Sequence, residues 1–383
     1  MFQKFTDICC LFLLIALFGS LNARAQATWM ADNASILGSK RLNEIVIPGA
    51  HDAGTFAIAD ARRRDILFGK SDGLSSPDNK RAKQLLSISG LFSKWAKTQE
   101  RTTAEMLNDG IRYLDIRICV DEKGVLMTCH GVYGASLESI LDDVNAFTSR
   151  NPRELILLGF NHFWDRKYQL EQSKAQGEVE GLTKEKWTEL IKLIKTKLRP
   201  KLVSGKLFNP ASKLSDIWQT TGGKQVIALF DTAAAPDDEL IWKQQEVNTW
   251  VGGWEMSSFK LGTLDTLKKA KGKAFAEKFF AIRSSVTPDD TGNLIGLGLV
   301  SKDYPSSATE LADATNPVVF GWIKDEWAGK YPINLIWADY YNRHGLVELA
   351  LHLNGIKVNF DKLKLNSDTK WKRWKRAGTK LDL

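Results

Sequence analysis

The chain has 383 residues, 43% hydrophobic and 26% charged, a balance that excludes a disordered, collagen-like or coiled-coil protein. Its 53 basic and 45 acidic residues give a formal charge of +8, and nine Lys/Arg against three Asp in residues 357–383 place +6 of it in the last segment. The length suits two or three domains of ~100–200 residues, or one α/β barrel of ~250 residues or more.

Lys4 precedes a single apolar stretch, Ile8 to Phe18, too short for a polytopic membrane protein. Ala23-Arg24-Ala25 then offers small residues at the two positions a signal peptidase reads. Residues 1–25 are expected to be a secretory signal cleaved after Ala25 or Ala27; an uncleaved anchor is the alternative. Removal leaves two cysteines, Cys119 and Cys129. Short β-branched runs follow at 43–47, 111–120, 125–129, 154–160, 225–230, 246–251, 279–283 and 334–338. Helix-patterned stretches lie among them. Residues 136–149 open on Ser136 and carry Leu137, Ile140, Leu141 and Val144 at helical spacing. Residues 183–198 open on Thr183 and carry Trp187, Leu190, Ile191 and Ile194 on one face. Residues 264–278, 308–328 and 345–353 continue the alternation.

Eight strands with helices outside predict a distorted (β/α)8 barrel as a single domain over residues 26–356. The second and third strands are separated only by Asp121-Glu122-Lys123-Gly124. That is a turn and no crossover, so this pair is expected to form an antiparallel hairpin at the barrel rim. Cys119 and Cys129 stand about equidistant from the turn at an even spacing that can share one face. In an exported protein they form a disulfide, or else two buried thiols. Residues 59–94, with Arg62-Arg63-Arg64 at their front, read as a long excursion and an active-site rim.

Two of the five histidines stand just past apolar strands: His51, after Ile45-Val46-Ile47-Pro48-Gly49-Ala50, and His130, after Val125-Leu126-Met127-Thr128-Cys129. In a parallel barrel the loops after the strands form the active-site face, where the two could converge. Two imidazoles can serve displacement at phosphorus by an internal hydroxyl, one taking its proton and one protonating the leaving oxygen. Arg117 adds a permanent charge for the phosphorane oxygens. Either histidine alone reads as structural, and a strand Asp-x-Arg alone as an ion pair. Together they match a family. Ile47-Pro48-Gly49-Ala50-His51-Asp52-Ala53-Gly54-Thr55, Gln99 with residues 102–107 leading into Asp109-Gly110-Ile111-Arg112-Tyr113-Leu114-Asp115-Ile116-Arg117, and Cys129-His130-Gly131 closely resemble the X domain of phosphatidylinositol-specific phospholipase C. The correspondence is clear over about 42–162 and looser to about 353.

The resemblance implies a distorted barrel in which His51 is the general base and His130 the general acid. Asp52, which is not expected to fold back onto its neighbour His51, supports His130, and Asp339 from the last strand supports His51. Eukaryotic members carry acids for Ca²⁺ where this chain has Arg117 and Phe160, the latter before Asn161-His162. Ca²⁺ takes about 6–8 oxygen ligands, and a guanidinium repels it. Asp115 remains, but one carboxylate is no site. The resemblance is therefore to the metal-independent bacterial-type enzymes, with no cofactor and a monomeric chain. Asn161, Asp231 and Arg283 are candidates for binding an inositol phospholipid, or serve only rim hydrogen bonding. The tail Lys370-Trp371-Lys372-Arg373-Trp374-Lys375-Arg376 suits an anionic membrane surface through Trp371 and Trp374, in preference to nucleic acid, or is a plain solvated tail. Another phosphodiester substrate, or a catalytically silent lipid-binding role, is the alternative.

Overall fold

The computed structural model describes residues 26–58, 91–172, 181–220, 223–248, 256–272, 276–286, 301 and 304–358. The expected signal, residues 59–90 of the excursion and the tail from 359, including Trp371 and Trp374, lie outside these. So do residues 249–251 of one expected strand and 273–275 of one expected helix.

Among the described residues ten strands are present: β1 (Ile47–Ala50), β2 (Tyr113–Val120), β3 (Leu126–Cys129), β4 (Tyr133–Ser136), β5 (Ile156–Trp164), β6 (Val226–Phe230), β7 (Ile241–Lys243), β8 (Glu246–Asn248), β9 (Phe279–Arg283) and β10 (Leu335–Ala338). Eight run parallel in the order β7-β6-β5-β2-β1-β10-β9-β8, the curled sheet of an α/β barrel. The two ends of this path are consecutive in sequence. Gln244, left-handed at φ 49°, donates its backbone N–H to Phe230 O at 2.8 Å, and Gln245 O accepts from Phe279 N at 2.7 Å. One bent segment thus passes from β6 to β9 and draws the ends of the sheet together.

The expected barrel is present with a different count of staves. β3 pairs antiparallel with β2 and β4, forming the expected rim hairpin, and β7 takes the eighth place. β7 has only three residues, too few for any periodicity to show; it is fixed by buried Trp242, whose indole N–H donates to Val203 O at 2.9 Å. The first strand begins at Ile47 where 43 was expected. The preceding backbone is held by side chains: Asn334 Nδ2 donates to Leu42 O and Ile45 O, and Asn354 pairs with both polar groups of Val46. The helix expected at 264–278 is Met256–Lys269, and it ends before Gly272, a residue of poor helix propensity. The long stretch expected at 308–328 is α-helical over Ala308–Gly321 and then widens to a π-turn over Trp322–Trp327. Ser136 and Thr183 cap the helices Leu137–Arg150 and Lys184–Leu198 as their spacing predicted, accepting from Ser139 N and Lys186 N. No helix among the described residues is long and apolar enough to cross a membrane.

β2 shows how the barrel is filled. Leu114, Ile116 and Ile118 are apolar and buried on one face. Tyr113, Asp115 and Arg117 alternate with them and are also buried, so they line the interior. Tyr113 Oη donates to Glu246 Oε2 at 2.9 Å, and its ring lies 5.7 Å from that of Trp337. Gly49 completes this layer because a Cβ there would meet Tyr113 Cδ1 at 2.9 Å and Trp337 Cβ at 3.0 Å. Only a residue without a side chain fits between two rings.

At the opposite end of β2, Arg112 is wholly buried and donates twice to Glu154 Oε2, at 2.9 and 2.7 Å. Its remaining donors reach Leu107 O, Ile111 O and Ala27 O, and Glu154 also accepts from Ala31 N at 2.8 Å. This pair closes the barrel floor and ties the 26–37 segment to it. Removing one partner strands a buried charge, so Glu154→Ala is expected to cost about 3–5 kcal/mol in chemical denaturation; a loss under about 1 kcal/mol would show that the floor does not depend on the pair.

Candidate active site

β1 and β10 pair in parallel register through Ala50↔Ala338, so the next residue of each strand emerges beside the other at the carboxyl end of the barrel. These are His51 and Asp339. His51 Nδ1 lies 2.5 Å from Asp339 Oδ1. On the far side of the ring, Nε2 is 3.2 Å from Arg117 Nη2. A guanidinium only donates, so Nε2 carries the lone pair and the ring proton is on Nδ1, directed at Asp339.

Arg117 stands at the carboxyl half of β2, where the register with β5 shifts between Arg117 and Ile118. Its Nε lies 2.5 Å from Asp52 Oδ1, with both side chains buried. Asp52 Oδ2 is 3.3 Å from His51 Nε2 and 3.8 Å from His130 Nε2. The expectation that Asp52 could not fold back toward His51 is therefore corrected: Asp52 adopts a left-handed backbone, φ 47°, which turns its carboxylate inward beneath the ring. Its tightest contact is Arg117, and His130 is a more distant neighbour.

His130 follows β3. Its Nδ1 donates to Ala96 O at 2.7 Å, leaving Nε2 toward Asp52. The ring centroids of His51 and His130 are 6.5 Å apart, inclined at 67°. Cys119 of β2 and Cys129, the residue before His130, are joined by a disulfide with a Cα–Cα separation of 6.0 Å. Cys119 pairs across the hairpin with Met127, so the link is diagonal on one face and fastens the strand carrying His130 to the strand carrying Arg117.

Burial sets the electrostatics of the cluster. Desolvation first, then the guanidinium groups of Arg283 and Arg117, holds His51 well below the usual imidazole range. Asp339 is pushed up to about 8 by burial and then by the Asp52 carboxylate. Burial raises Asp52, with Arg117 acting against it, and raises Asp115, with Asp52 adding to it. Asp115 was set aside in the sequence as a lone carboxylate, yet it accepts from Asp52 N at 2.9 Å and from Asn161 Nδ2. His51, Asp52 and Asp115 could each offer a ligand atom to a metal ion, all within 4.8 Å of one another. The Arg117 guanidinium contacts two of these three.

The other expected residues fall at different distances. Arg283, at the end of β9, is buried, donates to Ser285 Oγ at 2.9 Å and lies 5.8 Å from the Trp337 ring centroid. Asn161 reaches the cluster through Asp115. Asp231 follows β6 and is exposed; its backbone N–H bonds Phe160 O at 3.0 Å, which places it on the rim.

Two imidazoles, the Arg117 guanidinium and the carboxylates of Asp52 and Asp115 are buried at the carboxyl end of an α/β barrel with the partly buried carboxylate of Asp339 beside them, an arrangement able to serve acid–base chemistry on an anionic substrate. No family model matches the chain. Human PI-PLC X domain-containing protein 3 is 24% identical over 353 residues, spanning 89% of this chain and 96% of the relative. The variant-surface-glycoprotein phospholipase C of Trypanosoma brucei brucei is 27% identical over 217 residues, 54% of this chain and 53% of that protein. Among solved structures, a mutant phosphatidylinositol-specific phospholipase C from Staphylococcus aureus superposes with a TM-score of 0.57 at 20% identity, covering 88% of this chain and 99% of that one. The Listeria monocytogenes enzyme gives 0.55 at 15% identity, covering 86% and 98%. The resemblance carried by the motifs thus extends over most of the chain, and the barrel is the one found in the bacterial enzymes.

The cluster is held by residues to which the motifs assigned no role. Gln99 is fully buried, and its Nε2 donates at 2.8 Å to both His51 O and Ala338 O, cross-linking the two loops that carry His51 and Asp339. Thr98 Oγ1 donates to His51 O at 3.2 Å, and Thr98 O accepts from Tyr340 N at 2.7 Å. Ser285 Oγ lies 3.4 Å from His51 Nδ1. A buried amide bonding two carbonyls has no periodicity to betray it; only its place within the quoted motif marked Gln99. Gln99→Leu keeps the bulk and removes the donors, so it is expected to lower stability by about 1–3 kcal/mol in urea unfolding. A change below about 0.5 kcal/mol would mean that the two loops hold each other without it.

Proposed function

We propose that this protein is a phosphodiesterase that cleaves phosphatidylinositol, or a glycosylated inositol phospholipid, by attack of the inositol 2-hydroxyl on the adjoining phosphate. The products are inositol 1,2-cyclic phosphate and diacylglycerol. The observation that carries this reading is the pair of opposed imidazoles 6.5 Å apart, one bonded to both Asp339 and Arg117 and the other fixed by a backbone carbonyl. His51 Nε2 takes the 2-hydroxyl proton while Asp339 holds the developing imidazolium through Nδ1. Arg117 leaves Nε2 for the phosphate oxygens, which frees the base as the substrate binds. His130, its Nδ1 bonded to the Ala96 carbonyl and its Nε2 facing the Asp52 carboxylate, gives its Nε2 proton to the departing diacylglycerol oxygen. Because nucleophile and phosphorus belong to one molecule, little further orientation is required.

The relatives agree in kind: the trypanosomal protein is named a phospholipase C, and the bacterial structures are of phosphatidylinositol-specific phospholipases C. Export through residues 1–25 and docking on anionic lipid through Trp371 and Trp374 belong to the same reading. Asn161 and Arg283 face the head group, and Asp231 contacts it from the rim.

Incubation with phosphatidylinositol is expected to release the cyclic phosphate. His51→Ala or His130→Ala should lower turnover about 10²–10⁴-fold with the melting temperature kept, and near-normal turnover in either variant removes that residue from the mechanism. The base form of the His51–Asp339 pair has one proton fewer than the form in which Asp339 is protonated. Since Asp339 is raised to about 8, kcat/KM should climb with pH toward that value as an apparent property of the pair. Asp339→Asn should abolish that limb.

A second prediction concerns the cation. Arg117 contacts two of the three groups that could ligate a metal, His51 and Asp52, so activity should survive excess EGTA, and Arg117→Asp should be inactive without added Ca²⁺. Strict Ca²⁺ dependence of the natural chain would refute this role for Arg117.

A further inference from the structure

Asn316 and Pro317 stand side by side inside helix Ala308–Gly321, both buried. Asparagine is a poor helix former, and an interior proline removes an N–H and breaks the ladder. Two such residues in a row oppose the local preference and point to a task outside the helix. The Asn316 side chain shows it. Its Nδ2 donates to Asp339 O at 2.8 Å, and its Oδ1 lies 3.4 Å from Ser284 Oγ, which also donates to Trp337 O at 3.1 Å. A carbonyl oxygen only accepts, so the atom facing Asp339 is the amide NH2. From the same helix Asp313 pairs with Arg343 and His344 and grips the far end of the loop that Asp339 begins.

The peptide between Asp339 and Tyr340 is therefore held on both sides. Its carbonyl accepts from Asn316, and its N–H donates to Thr98 O at 2.7 Å. Tyr340 is left-handed at φ 46°, a conformation that a bulky residue keeps only where its surroundings enforce it. That peptide sets the direction in which the Asp339 side chain leaves the backbone. Among the described residues the carboxylate bonds only His51 Nδ1, at 2.5 Å, and the side chain is 14% exposed, so its aim depends on the backbone that carries it. A second acceptor stands within reach of the same nitrogen, Ser285 Oγ at 3.4 Å. A neutral hydroxyl supports an imidazolium less than a carboxylate does.

We propose that Asn316 is a positioning residue for the reaction: by fixing the 339–340 peptide it keeps the Asp339 carboxylate, and not the Ser285 hydroxyl, on His51 Nδ1. The proposal rests on the function proposed above and adds to it a residue that acts only through Asp339. Without the amide the peptide turns, Tyr340 relaxes toward ordinary backbone, and the ring is left with the hydroxyl.

The test uses Asn316→Leu, similar in size but without donor or acceptor, beside Asp339→Asn and the double variant, all in the full chain. On phosphatidylinositol, N316L should lower kcat about 10-fold or more with KM within about two-fold, as when an interaction of the transition state is lost. The limb of the pH profile that belongs to the His51–Asp339 pair should fade with it. In the D339N background the same change should cost less than about two-fold, because residues that act through one group are not additive. Natural kcat and pH profile in a folded N316L overturn the proposal, as does a loss that multiplies fully with that of D339N. If the melting curve shows that N316L does not fold, Asn316→Ala, which restores helix propensity, takes its place. A readout independent of turnover is the low-field proton resonance of His51 Nδ1–H, identified by its absence from H51A. If the natural chain does not cleave the lipid, the function has failed and this resonance decides alone. It should move upfield or vanish in N316L; an unchanged resonance, or none in the natural chain, overturns the positioning role.

Discussion

The contact between His51 Nδ1 and Asp339 Oδ1 spans 288 positions of sequence, and the site depends on it. It exists because β1 and β10 are parallel neighbours in a register that ends at Ala50 and Ala338. A slip of one residue in either strand would turn that strand's side chain to the opposite face, so the contact is protected by everything that fixes this register. Gln99 bridges the two strand ends from above, Asn334 and Asn354 hold the entry to β1 from below, and Gly49 lets Tyr113 and Trp337 pack where the strands lie side by side. The structure spends buried amides on locking one strand pair.

Around this contact the barrel interior is polar to an extent unusual for a core. Asp52, Asp115, Arg117 and Arg283 are buried with His51, and isolated charges there would be costly. The cost is contained by interleaving. Arg117 contacts Asp52 and His51, Asp52 N donates to Asp115, and Asn161 caps Asp115. Desolvation raises the acids, and desolvation together with the Arg283 and Arg117 guanidinium groups holds the imidazole of His51 toward its neutral form. A base is useful only in that neutral state, with its lone pair directed away from its orienting acid. Burial and the Arg117 contact produce both conditions.

The two ends of the barrel divide the labour. Arg112 and Glu154, both fully buried, form an ion pair in which two guanidinium donors share one carboxylate oxygen, just before β2 and β5 at the end of the barrel away from the histidines, and rigidity is the outcome. Arg117, five residues further along and within β2, is the counterpart at the open end, its guanidinium shared between an acid and a base. A buried arginine thus stands at each end of β2, one just before the strand and one within its carboxyl half. The same economy holds for residues 91–99, which fix both histidines.

The sequence by itself determined most of the elements and the positions of the candidate site residues. The alternation of Tyr113-Leu114-Asp115-Ile116-Arg117-Ile118, the caps at Ser136 and Thr183, the tight Asp121-Glu122-Lys123-Gly124 turn and the strand-end positions of His51 and His130 are local patterns, and local patterns are legible because backbone geometry repeats every few residues. Tertiary structure alone decided the partnerships. Asp52 could be read as a support for His130 but turned back toward Arg117 and His51, because its left-handed backbone is a property of the folded loop. Asp115 looked superfluous until Asp52 N and Asn161 met it. β7 escaped notice because three residues carry no period, and β1 began late because side-chain amides from distant loops claimed the backbone before it. The bonds of Gln99 to two carbonyls have no sequence signature: they arise where loops from different strand ends meet, and only the closed sheet sets that meeting place.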